Sequence, residues 1–84
     1  MPITFSSAAW EDYQYWVKYD KKKLDKINKL IMNSLSNPFE GIGKPEPLKL
    51  NLQGFWSRRI DDEHRLIYEY NDGNLSIVSC RHHC

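Results

Sequence analysis

The chain has 84 residues, of which 13% are aromatic, and a formal net charge of +1. This length corresponds to one domain, residues 1–84, with a thin core to which aromatic side chains contribute much of the buried area. A deep enclosed pocket is excluded by the length, and a polybasic tail by the charge. We therefore expect an open binding groove and modest affinity for free nucleic acid.

The first part of the chain predicts a short strand and a helix. A strand is expected over residues 3–5. Ser6 or Ser7 can cap a helix that runs from about Ala8 to Tyr19. The aromatic residues that recur at helical spacing in this segment, and that we expect in the core, are Trp10, Tyr13 and Trp16.

A second helix is predicted after a bend or solvated turn at Lys21–Lys23. Its apolar stripe begins at Leu24 and continues to about Ser36. Pro38 should end it, because the residue before a proline disfavours helical geometry. Residues 37–47 contain two Gly and three Pro and are predicted to form a loop.

The remaining sequence predicts several strands. A short strand is expected over residues 48–50, and longer ones over 55–60, 64–70 and 75–81, with a hairpin turn at Asn71-Asp72-Gly73-Asn74. The order predicts an α+β domain in which two N-terminal helices pack on one face of an antiparallel or mixed sheet.

Alternation along these strands predicts which side chains share a face. In the strand over 64–70, Arg65, Ile67 and Glu69 should lie on one side. In the last strand the residues expected on one side are Leu75, Ile77, Ser79, Arg81 and His83. Because an unpaired arginine is rarely buried, Arg65 and Arg81 should lie near strand ends or on the open face.

The basic residues are unevenly distributed. All four arginines and all three histidines lie in the last third of the sequence, at Arg58, Arg59, Arg65, Arg81, His64, His82 and His83. Arginine suits planar recognition of phosphate, and histidine exchanges protons near neutral pH. With Glu46 in a proline-bracketed turn, these residue types indicate cleavage of a phosphodiester.

Several sequence segments occur together in one known family. They are WEDYQYW at residues 10–16, NPFEGIGKPEPLK at 37–49, GFWSRRI at 54–60, EHRL at 63–66 and the terminal CRHHC. Over essentially the whole chain, this combination resembles the YoeB/Txe toxins of the RelE-like superfamily. The resemblance implies a RelE-like, microbial ribonuclease-like α+β fold. It also implies the toxin of a type II toxin–antitoxin module, which enters the ribosomal A site of the 30S subunit and cleaves mRNA.

The same resemblance implies roles for individual residues and a protein partner. Glu46 matches the general base, Arg65 the phosphate-binding arginine and His83 the general acid. Lys49 and Arg59 match basic positions near the scissile phosphate. A YefM-like antitoxin is expected to cover the site, whereas no cofactor and no metal are required.

One position departs from the family pattern. The family commonly ends in an aromatic residue after the histidine, where this chain has Cys84. A cysteine cannot stack on a base, so we expect a changed base preference or rate. The leading hypothesis is a ribosome-dependent endoribonuclease. A ribosome-independent ribonuclease and a weakened toxin that only binds its antitoxin are the alternatives. The presence of Glu46, Arg65 and His83 argues against a non-enzymatic superfamily member.

The chemistry requires specific states of these groups, and each group also has a structural interpretation. Glu46 acts as a base if packing against the nearby prolines raises its pKa, and His83 acts as an acid if it is protonated. Without the resemblance, Glu46 would be a solvated loop acid, and Arg65 would pair with Glu63 or Glu69. Arg58 faces away from Arg59, which favours a structural role or antitoxin pairing.

The two cysteines, Cys80 and Cys84, are expected on the terminal strand. At that spacing they lie about 13 Å apart along a strand, too far for a disulfide. With His82 they could form an incomplete zinc site, which we regard as a minor alternative. The lack of a signal or membrane segment predicts a cytoplasmic protein, and self-association stays open.

Overall fold

The computed structural model describes residues 2–49 and 53–82, which form two helices and one five-stranded sheet. In chain order the elements are β1 (Ile3–Phe5), α1 (Ser7–Tyr19), α2 (Lys21–Ser36), β2 (Glu46–Pro47), β3 (Trp56–Arg59), β4 (Arg65–Asn71) and β5 (Asn74–Ser79). The strand order is β1-β5-β4-β3-β2, with β1 and β5 parallel and the other neighbours antiparallel. The predicted α+β class is confirmed. Neither helix in the described part of the chain is long and apolar enough to cross a membrane.

Both helices begin at side-chain caps. The Ser6 hydroxyl accepts a hydrogen bond from the Ala9 N–H at 3.0 Å, as predicted. The Asp20 carboxylate accepts one from the Lys23 N–H at 3.2 Å. The prediction of a solvated turn at Lys21–Lys23 is therefore wrong. These lysines form the first turn of α2, because Asp20 both ends α1 and caps the next helix.

The core lies between the helices and one face of the sheet. Its buried members are Ala9, Trp16, Ile27, Leu30, Ile31, Ile60, Leu66, Tyr68, Leu75, Ile77 and Cys80. Trp10 was predicted in this core, yet half of its surface is exposed, and its ring packs against Phe5 and Tyr13 at the edge. The reason is rotational: Ala9 and Trp16, seven residues apart, face the sheet, which places Trp10 at the side of α1.

The hairpin between β4 and β5 follows the predicted turn. Asn71 pairs with Asn74, and the two central residues, Asp72 and Gly73, have φ values of 52° and 80°. Positive φ at both positions is what a two-residue turn with the twist of the flanking strands requires. The Asp-Gly pair therefore determines the register of this hairpin.

A bulge in β5 changes the faces of its last residues. Ile67 pairs with Ser79, but Tyr68 pairs with Ile77, so Val78 is an extra residue. Leu75 and Ile77 face the helices as a pair, whereas Ser79 shares the opposite face with Ile67. The prediction that Leu75 through Arg81 alternate on one side is therefore wrong from Ser79 onward.

Arg58 is fully buried and organises the loop after α2. Its guanidinium donates to Tyr68 Oη at 3.0 Å, to Asn33 Oδ1 at 2.6 Å, and to the carbonyls of Asn37, Glu40 and Ile42 at 2.5–3.0 Å. The predicted structural role of Arg58 is confirmed.

The loop reaches Arg58 closely because Gly43 has no side chain. Gly43 has a φ of 81°, and a Cβ there would lie 2.6 Å from Leu30 Cδ2. Its carbonyl also accepts the Arg59 N–H at 2.7 Å. The glycine thus allows loop 37–45 to cover the buried arginine and to lead directly into β2.

Candidate active site

The sheet face opposite the helices carries polar side chains from β2, β3 and β4. Because Arg58, Leu66 and Tyr68 are buried toward the helices, their neighbours Arg59 and Arg65 lie on the open face. Residues directly opposite across an antiparallel ladder share a face. The open face therefore carries Arg59 and Arg65, two of the residues predicted to contact phosphate.

Arg59 and Arg65 lie directly opposite each other on β3 and β4. Two like charges in such a pair are destabilising unless other groups compensate. Partial compensation comes from the turn between the strands. Arg59 Nη2 lies 3.1 Å from Asp62 Oδ1, and Arg65 Nη1 donates to the carbonyls of Asp61 and His64 at 2.6 and 3.0 Å. Because a carbonyl carries no net charge, these hydrogen bonds leave the positive charge of Arg65 unneutralised.

The alternative interpretation, in which Arg65 pairs with Glu63 or Glu69, does not agree with the described contacts. Arg65 forms its hydrogen bonds with backbone carbonyls instead. These bonds hold the guanidinium beside the β3–β4 turn. The pair of arginines therefore forms a concentrated positive site that suits an anion bound across the two strands.

Glu46 lies on the neighbouring strand of the same face. It pairs with Ser57 on β3, which places it diagonally from Arg59, at about 7–8 Å between backbones for such neighbours. The predicted strand over residues 48–50 is misplaced: the paired residues are Glu46 and Pro47, and Leu50 lies outside the described residues. Pro47 is tolerated because β2 is at the edge of the sheet, where no further strand needs its missing N–H.

Glu46 is exposed rather than packed beneath the adjacent prolines. Lys49 is likewise exposed, two residues beyond the end of β2. The structure thus brings Glu46, Arg59 and Arg65 together on one face. His83, the predicted general acid, and Cys84 lie outside the described residues.

His82, the last described residue before His83, lies beside Arg65. The Arg65 N–H donates to the His82 carbonyl at 2.9 Å, which continues the sheet pattern past the end of β5. Arg81 was expected to face the same side of a strand as His83. It instead follows the strand, and its guanidinium lies 3.6 Å from the centre of the Tyr15 ring. That is the distance of a cation–π contact.

Asp61 fixes the turn from which Arg65 emerges. Its carboxylate contacts Lys23 Nζ and accepts the N–H groups of Glu63 and His64 at 2.8 and 2.6 Å. Partial burial opposes ionisation of this carboxyl, but the hydrogen bonds from Lys23, His64 and Glu63 outweigh it and lower the pKa of Asp61 to about 2. The turn therefore stays anionic and ordered at neutral pH.

Zinc binding through Cys80 and His82 is not supported by their positions. Cys80 is fully buried, its thiol contacts the Ala9 carbonyl at 3.7 Å, and burial raises its pKa to about 12. His82 is exposed, so the predicted side-by-side ligands are not formed. Cys80 lies beyond the end of β5 at Ser79, and Cys84, the other predicted ligand, lies outside the described residues.

A different group, Glu63, His64 and His82, has donor atoms within 4.8 Å of one another. His64 Nδ1 already accepts the His82 N–H at 2.7 Å. The neutral ring therefore carries its proton on Nε2, 3.7 Å from a Glu63 oxygen, and offers no free lone pair to a metal. Sequence reasoning assigned no role to His64. The only sequence signal was its alternation with Leu66 and Tyr68 on one side of the predicted strand.

Comparison with known proteins adds a family to this geometry. A sequence model of the family described as "YoeB-like toxin of bacterial type II toxin-antitoxin system" matches residues 5–84. The chain is 54% identical over 83 residues to Toxin YoeB of Escherichia coli strain K12, and the alignment covers 99% of each chain.

Two solved structures from Staphylococcus aureus are also similar to this chain. One is a heterotetrameric YoeB–YefM toxin–antitoxin complex, with a TM-score of 0.94. The other is a YoeB dimer, with a TM-score of 0.93. Each is 50% identical to this chain, and the match covers 100% of this chain and 98% of the solved one.

Proposed function

Because this chain belongs to the YoeB-like toxins of bacterial type II toxin–antitoxin systems, we propose that it is a ribosome-dependent mRNA endoribonuclease. The observation that carries this proposal is the opposed pair Arg59 and Arg65 with Glu46 one strand away on the open face. An open, positively charged sheet face suits a polymer laid across it better than a small molecule.

The proposed reaction uses the nucleophile that RNA itself carries. Glu46 takes the proton of the ribose 2′-OH while that oxygen forms a bond to phosphorus. The bond from phosphorus to the 5′-oxygen breaks, and His83 gives this oxygen a proton. The products are a 2′,3′-cyclic phosphate and a 5′-hydroxyl, so atoms and protons balance without a metal.

Arg59 and Arg65 supply the charge stabilisation. The phosphate gains negative charge on its non-bridging oxygens as the 2′-oxygen attacks. Two guanidinium groups held on adjacent strands can bind these oxygens by charge-assisted hydrogen bonds. Because no carboxylate fully neutralises Arg65 among its described contacts, its field remains available to the substrate. Lys49 adds positive charge near the mRNA backbone, and Cys84 contacts a base without stacking.

The ribosome is proposed to provide what the isolated chain lacks. A net charge of +1 gives little general attraction to RNA, and Glu46 is exposed to water in the free protein. Binding in the A site would hold the mRNA against the open face and exclude water from Glu46. The protein accordingly acts in the cytoplasm, where translation takes place.

A YefM-like antitoxin is the proposed inhibitor. Staphylococcus aureus YoeB is known both in a complex with YefM and as a dimer. We expect an antitoxin segment with acidic side chains to cover Arg59 and Arg65 and so compete with mRNA. A homodimer of this chain is proposed on the same likeness.

The test is cleavage of mRNA on ribosomes by variants of the arginine pair. We expect Arg65→Gln to lower cleavage about 10²–10³-fold, the range for loss of one donor to a developing oxyanion. Arg59→Gln should have a smaller effect, because its charge is shared with Asp62. Glu69→Gln, further along β4 on the same face, serves as the control. Full activity of Arg65→Gln, or products with a 3′-hydroxyl, would contradict the proposal.

A further inference from the structure

His64 faces the helices and not the open face. It is 9% exposed, and its ring lies edge-on to Trp16 with centroids 4.9 Å apart. Arg65, the next residue, points to the opposite side. His64 is therefore one residue from the proposed phosphate site but separated from it by the sheet, so it cannot contact the reacting groups.

The imidazole of His64 is joined to the backbone of His82. His64 Nδ1 accepts the His82 N–H at 2.7 Å, and the Arg65 N–H donates to the His82 carbonyl at 2.9 Å. Two consecutive residues, His64 just before β4 and Arg65 at its start, thus hold both backbone polar groups of His82. His82 has a φ of 64°, a left-handed conformation that a residue with a side chain adopts only when its surroundings stabilise it.

Helix α1 holds the same segment two residues earlier. The Cys80 N–H donates to Asp12 Oδ2 at 3.1 Å, and Trp16 Nε1 donates to the Cys80 carbonyl at 2.8 Å. Trp16 also supports the His64 ring. The side chains that fix residues 80–82 are therefore Asp12 and Trp16 of the WEDYQYW segment and His64, just before β4. From β4 itself, this part of the chain receives the single hydrogen bond from the Arg65 N–H to the His82 carbonyl among the described contacts.

We propose that His64 is a positioning residue, which holds the backbone of His82 so that the next residue, His83, is placed to protonate the leaving oxygen. This inference rests on the proposed function. Successive Cα atoms are about 3.8 Å apart, so fixing the two polar groups and the φ of His82 restricts where His83 can begin. Proton transfer requires a hydrogen-bond distance, and an error of about 1 Å in placement can cost roughly 100-fold in rate.

The test compares three variants of His64. In His64→Asn the amide oxygen takes the place of Nδ1 and can accept the His82 N–H. His64→Leu fills similar space without an acceptor. His64→Gln places its amide near the Nε2 position. We expect single-turnover cleavage on ribosomes to fall about 100-fold for His64→Leu and His64→Gln, with apparent ribosome affinity unchanged, and to recover to within about tenfold of wild type for His64→Asn.

Hydrogen exchange of the His82 amide gives a readout independent of cleavage. The His82 N–H should be protected in the wild type and in His64→Asn, and should exchange faster in His64→Leu. Amides of the core strands, such as those of Tyr68 and Ile77, should stay protected in every variant that folds. If His64→Leu does not fold, the comparison of His64→Asn with His64→Gln carries the test.

The outcomes separate this inference from the proposed function. Normal cleavage by His64→Leu or His64→Gln with a fast-exchanging His82 amide would overturn the inference alone. Equal loss of cleavage in all three variants while the His82 amide stays protected in His64→Asn would also overturn it. A wild-type protein that cleaves no mRNA would overturn the proposed function, and with it the need to position an acid.

Discussion

Lys23 in the first turn of α2 and Asp61 in the turn after β3 form a salt bridge, with Nζ 2.5 Å from Oδ2. This contact joins the helical layer to the turn from which Arg65 emerges. The same hydrogen bond raises the pKa of Lys23 and helps to lower the pKa of Asp61. The position of Arg65 thus depends on a charged pair that lies outside the open face.

The Lys23–Asp61 pair predicts a specific acid sensitivity. The pKa of Asp61 is 3.8 for the free side chain and about 2 in the folded state, so its stabilisation is complete above pH 4 and is lost as the pH falls toward 2. Because both side chains are partly exposed, at 33% and 24%, we expect only about 1 kcal/mol. Asp61→Asn should lower the free energy of unfolding by this amount at pH 7, measured by urea denaturation.

The pH series provides the control for that change. The stabilities of wild type and Asp61→Asn should converge between pH 4 and pH 2. Asp62→Asn should change stability less than Asp61→Asn at pH 7, because the contact of Asp62 with Arg59 is an exposed ion pair. A constant difference between wild type and Asp61→Asn down to pH 2 would show that ionisation of Asp61 is not the cause.

Substitution of arginine by lysine should lower stability much more at Arg58 than at Arg59. Arg58→Lys keeps the charge but loses the planar fork that reaches Tyr68, Asn33 and three carbonyls. With charged hydrogen bonds worth about 1.5–3 kcal/mol each, we expect a loss of roughly 3 kcal/mol in unfolding free energy. Arg59→Lys, on the open face, should change stability by less than about 0.5 kcal/mol. Equal denaturation midpoints for the two variants would refute the structural role of Arg58.

Much of the fold could be predicted because local signals agree with it. Ser6 caps α1, Asp72-Gly73 closes the last hairpin, and the apolar stripes of both helices face the sheet. The start of α2 was missed because a run of lysines resembles a solvated turn. What makes it helical is the capping carboxylate of Asp20, a contact that composition does not reveal.

The errors near the site have one physical cause, which is that period-two alternation assumes an unbroken ladder. The bulge at Val78 turns Ser79 to the other face, and β5 then ends, so Arg81 does not continue the strand as expected. The opposed position of Arg59 and Arg65 is a matter of register between strands, and the role of His64 depends on a residue 18 positions away. Neither is visible in the sequence alone.

Substitution of Glu46 should reduce cleavage without destabilising the fold. Because Glu46 is exposed on the edge strand, Glu46→Gln should leave the unfolding free energy unchanged within about 0.5 kcal/mol. Removal of the proposed base should reduce cleavage on ribosomes about 10²–10⁴-fold. Glu69→Gln should cleave at the wild-type rate, and retained growth arrest by Glu46→Gln in cells would rule out Glu46 as the base.

Cys84 predicts an effect on substrate choice. Replacing it by the family's aromatic residue, in Cys84→Tyr, should restore stacking on a base and so change the cleavage rate or the preferred codons. Binding of the antitoxin should not change. Identical cleavage patterns and rates for the two proteins on one mRNA would show that the last side chain has no part in recognition.

The Cys80 thiol should react with alkylating reagents only when the protein unfolds. It is fully buried and its pKa is raised to about 12, so at neutral pH it carries almost no reactive thiolate. Peptide mass spectrometry after iodoacetamide treatment should find Cys80 unmodified in native protein and modified in urea. Rapid modification of Cys80 without denaturant would contradict its position in the core.

The measurement that tests the central claim most directly is cleavage of one defined mRNA by the purified protein, with and without ribosomes that present an open A site. We expect cutting within the A-site codon only when ribosomes are present, with a 2′,3′-cyclic phosphate at the new end. Equal cleavage of the free mRNA would contradict the proposed dependence on the ribosome. No cleavage by folded protein that still binds its antitoxin would contradict the proposed enzymatic activity.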